Sequence, residues 1–116
     1  MIVEAQVFQA LQALVEGRVY PDVAPPGSAR PYIVYQQVGG AAVNFLDRTT
    51  PSKRNSWMQV CVWAEARIEA SGLIEQVELA LRGAAGLSVA VQAAPVSIYE
   101  DETQLRGARQ DYSIWF

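Results

Sequence analysis

Apolar residues recur along this chain with two different periods, and the order of those periods constrains the fold more than any other feature. A period of three to four residues, typical of an amphipathic helix, runs through residues 3–16 and again through residues 65–82. A period of two, or a run of β-branched and aromatic residues, indicates strands at residues 32–38, 56–63 and 110–116. This mixture of helices and strands in one chain favours an α+β protein.

Glycine and proline residues separate these segments. Gly17 is the expected C-terminal stop of the first helix. A possible short strand follows at residues 18–20, and the prolines and the glycine after it predict an irregular loop over residues 21–31. Between the second helix and the last strand, residues 87–92 and 96–99 are either one bent strand or two short ones.

The predicted order is therefore helix, strand, strand, helix, strand, strand. This order suits an antiparallel sheet of about four strands with two helices on one face. A length of 116 residues is enough for one hydrophobic core and too short for two, so we expect a single α+β domain over residues 1–116.

The strand predicted at residues 56–63 indicates which face of the sheet the helices cover. Met58, Val60 and Val62 lie on one side of the strand, and we expect a helix to pack there. The side chains on the other side are Trp57, Gln59, Cys61 and Trp63. Trp115 of the last strand would join them. Two interpretations remain open: these tryptophans form a docking surface, or they lie under the loops and at the ends of the sheet.

Catalytic chemistry has little support in the sequence. The chain has no histidine, and its one cysteine, Cys61, lies in the middle of a predicted strand, where we expect a structural role. Neither of the common phosphate-binding glycine patterns occurs. Adjacent carboxylates at Glu100, Asp101 and Glu102 point to different sides, so this run predicts a solvated acidic turn. We therefore expect no catalytic, cofactor-binding or metal-binding residues, and no enzymatic activity.

Charge is distributed unevenly along the chain. The net charge is −3, which disfavours sequence-independent binding to nucleic acid. Residues 41–55 form a predicted loop that is long for a compact domain and therefore a candidate for function, and it carries Arg48, Lys53 and Arg54. Because these cations lie on a net-acidic protein, we expect their partner to be a protein rather than DNA.

The apolar share of the composition, 51%, leaves two explanations open: surface covered by partner subunits, or a count inflated by alanine. No apolar run approaches the roughly 20 residues of a membrane-spanning helix. The amino terminus also lacks the pattern of a secretory signal, so we expect synthesis in the cytoplasm.

Four segments in order resemble the tail-completion, or tail-terminator, family of long-tailed phages and prophages. They are residues 17–21 (GRVYP), 29–36 (ARPYIVYQ), 58–64 (MQVCVWA) before a helix, and 111–116 (DYSIWF). The resemblance extends over nearly the whole chain. Cys61 departs from it, because a polar residue, commonly aspartate, is expected at that position.

The resemblance implies a structural protein of the virion tail. Its members form a ring, typically a hexamer, on the head-proximal end of the tail tube and join the tail to the head. The implied partners are further copies of the chain, the tail-tube protein and head-tail connector proteins, with no cofactor, no specific nucleic acid and no membrane. A monomeric adaptor or small-ligand-binding module without catalysis is the alternative.

Ring subunits meet through two different patches, and the charge distribution supplies a candidate pair. We expect the basic loop to face the acidic turn of a neighbouring subunit, where charge would fix the register. The predicted interface residues are Arg48, Lys53, Arg54, Trp57, Trp63, Glu100, Asp101, Glu102 and Trp115.

Overall fold

The computed structural model describes residues 2–116, and it is an α+β protein as the sequence predicted. The helices are α1 (Val3–Leu11), which continues into a short 3-10 helix (Gln12–Leu14), and α2 (Arg67–Arg82). The strands are β1 (Val19–Pro21), β2 (Tyr32–Gln37), β3 (Asn55–Ala64), β4 (Ser88–Val91), β5 (Val96–Glu100) and β6 (Leu105–Trp115). The prediction of about four strands was therefore too low, because the possible strands at residues 18–20, 87–92 and 96–99 all form.

The strands form one sheet in the order β1-β2-β3-β6-β4, with β5 also paired to β6. The sheet is mixed, which corrects the prediction of a purely antiparallel one, because β1 pairs with β2 in parallel. Residues 22–31 carry the chain back along the sheet before β2 begins, so that β2 runs in the same direction as β1. Two backbone hydrogen bonds outside the strands hold this return: Asp22 N–H donates to the Tyr35 carbonyl, and Ile33 N–H to the Arg18 carbonyl.

The last strand is longer than the sequence indicated. It was predicted to begin at residue 110, but β6 begins at Leu105 and pairs with β3 along almost its whole length. Its first half shows no alternation of apolar and polar residues, because Arg106 and Arg109 flank the small residues Gly107 and Ala108. The glycine is required by packing: a Cβ at position 107 would come within 2.8 Å of the Trp63 ring, which lies across it.

Strands β4 and β5 are the two short strands that were one of the two alternatives. Both pair with β6, and the chain between Val91 and Val96 bulges outward because its four residues face only Gln110 and Asp111. Gln110 fills the bulge by donating from Nε2 to the Ala93 carbonyl at 2.9 Å. This hydrogen bond holds the bulge against β6 at the edge of the sheet.

The core lies between the helices and one face of the sheet. Both helices and alternate residues of the strands contribute to a single buried cluster. Met58, Val60 and Val62 are fully buried in it, as the period of two in β3 predicted. The other face of the sheet has no helix on it, and we call it the open face. The first helix ends earlier than predicted, since its last turn is a 3-10 helix followed by Glu16 and Gly17 at positive φ.

Candidate assembly surface

All three tryptophans lie on the open face, but they differ in exposure and in position. Trp57 and Trp115 are 44% and 37% exposed. They lie at the end of the sheet where β3 begins and β6 ends. Trp63 lies at the opposite end, half-buried over Gly107. The structure therefore covers part of Trp63 and leaves Trp57 and Trp115 more exposed at the other end of the sheet.

A groove runs along the open face from Trp63 to the Gln36–Gln59 pair. Its volume is about 490 Å³. The floor is formed by side chains of the central strands, among them Val34, Cys61 and Trp63. The loop of residues 22–28 forms one wall, and Ile98 of β5 lies on the other side. Gln36, Gln59 and Arg109 add polar atoms to the floor, and a partly apolar floor between two walls is a surface on which a side chain of another molecule can be buried.

Two titratable groups on the groove floor, the Cys61 thiol and the Tyr32 hydroxyl, are held in their neutral forms. Burial raises the pKa of the Cys61 thiol to about 11, against a smaller opposing effect of Arg109. Burial also raises the pKa of the Tyr32 hydroxyl, and the nearby Glu100 carboxylate adds to the increase. A thiol with a raised pKa is a poor nucleophile. Cys61 thus acts as an apolar part of the floor, which agrees with the structural role expected for it.

The acidic turn, Glu100–Glu102, lies beside the groove. Glu100 lines the groove and accepts a hydrogen bond from the Thr103 hydroxyl at 2.7 Å. Asp101 and Glu102 are exposed in the turn between β5 and β6. At the root of this turn, the Arg106 guanidinium lies 4.5 Å from the centre of the Tyr99 ring. The turn is therefore anchored at its base and presents its carboxylates to the surroundings.

The connection between β2 and β3 forms an arm, residues 38–54. Two backbone hydrogen bonds continue the β2–β3 pairing into its base, from Val38 N–H to the Trp57 carbonyl and from Trp57 N–H to the Gly39 carbonyl. At the other side of the base, Arg54 exchanges two backbone hydrogen bonds with Phe116. Beyond this base the arm has no regular secondary structure.

Two large apolar side chains lie at the end of the arm. Leu46 is fully exposed and Phe45 is 49% exposed. We call this pair the arm tip. It sits on a turn in which Arg48 N–H donates to the Phe45 carbonyl and Asp47 accepts two hydrogen bonds from Thr49. Those hydrogen bonds lower the pKa of the Asp47 carboxyl. The sequence reasoning missed the tip, although two large apolar residues within a polar loop were a readable signal.

The nine predicted interface residues fall into two groups at opposite ends of the sheet. The first group consists of the basic residues of the arm and the exposed tryptophans at its base: Arg48, Lys53, Arg54, Trp57 and Trp115. The second consists of the groove tryptophan and the acidic turn: Trp63, Glu100, Asp101 and Glu102. The groove also brings in Tyr32, Ile98 and Arg109, which the sequence reasoning did not select because they come from three different strands.

Within residues 2–116, no three His, Cys, Asp or Glu side chains gather where they could hold a metal ion. None of the helices formed by these residues has the length and hydropathy to span a membrane. What the structure offers is an arm with an apolar tip, a groove and two groups of opposite charge.

Surfaces of this kind are typical of proteins that act through contacts with other chains. The family model described as "Tail completion protein gp17" matches residues 6–116. The chain belongs to this family, which confirms the resemblance seen in its sequence. It is a structural protein of the tail of a phage-type virion.

Comparison with solved structures agrees on the fold. A chain in a structure titled "Virion of native gene transfer agent (GTA) particle" superposes with a TM-score of 0.70 at 20% sequence identity. The match covers 97% of this chain and 92% of that one. No curated protein sequence matches the chain significantly.

Proposed function

We propose that the chain forms a ring, most simply a hexamer, that caps the head-proximal end of the tail tube and joins the tail to the head. The family match over residues 6–116 is the observation that carries this proposal. The similar fold in a gene transfer agent virion supports it, because that chain is part of an assembled particle. In this role the protein contributes contacts rather than catalysis.

The separation of the two interface groups supports a ring. Subunits of a ring meet head to tail, so each must present two different patches that point in opposite directions. The arm carries Arg48, Lys53 and Arg54 against one acidic residue, Asp47, which gives a net charge of +2. The acidic turn, residues 100–102, carries three negative charges at the other end of the sheet. In the proposed ring each arm faces the acidic turn of the next subunit.

The exposed tryptophans supply a second part of the proposal. Trp57 and Trp115 lie on the open face beside the base of the arm, and each leaves more than a third of its surface exposed. Tryptophan is enriched where protein interfaces bury most of their surface. We assign this area to contact with the tail-tube protein or with a head-tail connector protein.

Light scattering on the purified protein tests the ring. Increasing concentration should convert the 12.7 kDa chain into a species of six copies. In a strain that produces particles, removal of the chain should leave heads and tails unjoined, and the wild-type gene should restore joined particles. Joined particles in the absence of the chain would contradict the proposed function.

A monomeric adaptor or small-ligand-binding module is the second candidate, and the groove favours it. Its volume of about 490 Å³ lies in the range of small-molecule sites, which is roughly 300–1,000 Å³. Charged groups from Asp22, Arg30 and Arg109 line it beside the apolar floor. For this candidate, light scattering should give a monomer at every concentration, and heads and tails should join without the chain.

A further inference from the structure

The arm tip is an apolar surface that its own domain leaves uncovered. Leu46 is fully exposed, and half of the neighbouring Phe45 is exposed as well. Burying a side chain such as leucine stabilises a complex by about 1.5–3 kcal/mol relative to leaving it in water. A tip of this kind is therefore suited to insertion into a partner.

The same chain carries a groove of suitable character. Its floor holds Val34 and Trp63 beside polar side chains such as Gln59 and Arg109, and Ile98 lies along its side. An apolar side chain that enters at Trp63 and Ile98 therefore meets apolar atoms. The volume of about 490 Å³ exceeds that of two side chains. The neutral Cys61 thiol adds no charge to the floor.

The tip does not occupy the groove of its own subunit, because no residue of the arm lines that groove. The groove runs along β2 and β3 from the Tyr32–Trp63 pair to the Gln36–Gln59 pair. The arm leaves the same two strands just beyond it, where Gln37 pairs with Met58. The molecule measures 53 Å along its longest axis and 25 Å across, whereas its longest strand of 11 residues spans only about 36 Å. We attribute the difference chiefly to the arm, none of whose residues lines the groove.

Charge selects a second copy of the chain as the occupant. The arm has a net charge of +2, as counted above. The charged residues that line the groove, Asp22 and Glu100 against Arg30 and Arg109, balance one another, and Asp101 and Glu102 of the adjoining acidic turn bring the net charge of this area to −2. Arg30 is also drawn toward Glu65 at 3.9 Å, which further reduces its effect on the groove. The two surfaces are therefore complementary in both charge and polarity.

We infer that Phe45 and Leu46 of one subunit insert into the groove of the next subunit, between residues 22–28 and Ile98. The inference rests on the proposed ring, and it names the contact that closes it. The basic residues of the arm then lie beside the acidic turn and fix the register, while the tip supplies the buried apolar area. Because the contact joins two different patches, repeating it produces a closed ring or a chain of subunits.

Engineered cysteines test this contact directly. Cys61→Ser removes the native thiol, and Leu46→Cys and Ile98→Cys then place one thiol on the tip and one beside the groove. Mild oxidation should produce a ladder of covalent species larger than a dimer on non-reducing gels. We expect an enrichment on the order of tenfold or more over a control, because docking holds the two thiols at a millimolar effective concentration.

The matched control moves the second cysteine away from the groove. Ile68 lies on the outer side of α2 and is 87% exposed, so Leu46→Cys with Ile68→Cys and Cys61→Ser has the same number of thiols. It should give no ladder above the dimer. Leu46→Asp, an exposed substitution that leaves the core intact, should abolish association in light scattering. A circular dichroism spectrum like that of the wild type would confirm that this variant folds.

Each outcome separates this contact from the proposed function. A ring that forms in light scattering but gives no more ladder with Ile98→Cys than with Ile68→Cys would overturn the inference and leave the ring intact. A protein that neither associates nor cross-links at any concentration, and whose removal leaves heads and tails joined, would overturn both. A ladder specific to Ile98→Cys supports the contact.

Discussion

At the scale of single residues, the open face is shaped by what lies under Trp63. The indole ring occupies the space that a side chain at position 107 would fill. This contact brings Trp63 down onto the sheet, while Trp57 and Trp115 remain exposed. One glycine therefore decides which tryptophan lies on the groove floor.

Gly107→Ala should destabilise the protein by about 1–3 kcal/mol, because the new Cβ forces the Trp63 ring out of its position. Urea unfolding followed by tryptophan fluorescence measures both the loss in free energy of unfolding and the altered environment of the Trp63 ring. Gly72→Ala is the matched control: it lies within α2 with open space around it and should stabilise the protein by up to about 1 kcal/mol. Equal effects of the two substitutions would contradict the packing argument.

Cys61 makes stability dependent on pH in the alkaline range. In the unfolded chain the thiol loses its proton near its ordinary pKa of 9.0, whereas burial raises the pKa in the folded protein to about 11. Deprotonation therefore favours the unfolded chain, and its stabilising contribution, present below pH 9, should be lost between pH 9 and 11. The loss should be on the order of 2 kcal/mol.

Comparison with Cys61→Ala isolates this effect, because the tyrosines titrate in both proteins. Urea unfolding at several pH values should show a shallower decline for the variant between pH 9 and 11. Parallel declines in the two proteins would show that the thiol is not the group responsible.

At the scale of elements, the edge formed by β4 and β5 depends on a buried polar pair. Tyr112 is fully buried, and its hydroxyl donates to Gln110 Oε1 at 2.9 Å. Gln110 in turn bonds the Ala93 carbonyl in the bulge. Burial raises the pKa of the Tyr112 hydroxyl above its ordinary value, as expected for a donor removed from water. The pair connects the core to the bend of the edge strand.

Tyr112→Phe should reduce the free energy of unfolding by about 1–2 kcal/mol, since it leaves the Gln110 oxygen unpaired. Gln110→Met should reduce the free energy of unfolding by about 1–3 kcal/mol, because it leaves both the Tyr112 hydroxyl and the Ala93 carbonyl without their hydrogen-bond partner. The double variant should lose less than the sum of the two. Gln37→Met, at an exposed position, is the control and should change stability by less than about 0.5 kcal/mol. Additive losses in urea unfolding would show that the two side chains are not coupled.

At the scale of the whole molecule, opposite charges lie at opposite ends. The arm carries the positive group, and the turn between β5 and β6 carries the negative one. Exposed charges of this kind contribute more to register and association rate than to affinity, and salt weakens them. The arrangement suits subunits that meet in one direction only.

Reversing one group of charges should prevent association, and reversing both should restore it. Arg48→Glu with Lys53→Glu and Arg54→Glu should abolish ring formation at low salt, and adding Lys at positions 100–102 should recover it in light scattering. The control replaces Glu69 and Glu75 on the exposed side of α2 by lysine and should leave association unchanged. Failure of the combined variant to recover association would show that the two groups do not face each other.

Much of the fold was predictable because hydrophobic period is a local property. The two helices and the strands with a clear period of two were found near their observed positions, and the core face of β3 was assigned correctly. The glycines and prolines also placed the irregular loop before β2 correctly. The predictions that failed concern contacts between residues that are far apart in the sequence. The parallel pairing of β1 depends on how residues 22–31 return, and the early start of β6 at Leu105 depends on a ring from another strand.

The candidate assembly surface was likewise predictable only in part. The sequence by itself determined the charged groups, the absence of histidine, the tryptophan face and the resemblance to the tail-completion family, because residue identity and order carry all of these. Only the tertiary structure decided that the two charged groups lie at opposite ends and that a groove forms beside one of them. The groove is built from β2, β3, β5, β6 and the 22–28 loop, and such long-range neighbours are set by strand pairing, which no local pattern specifies.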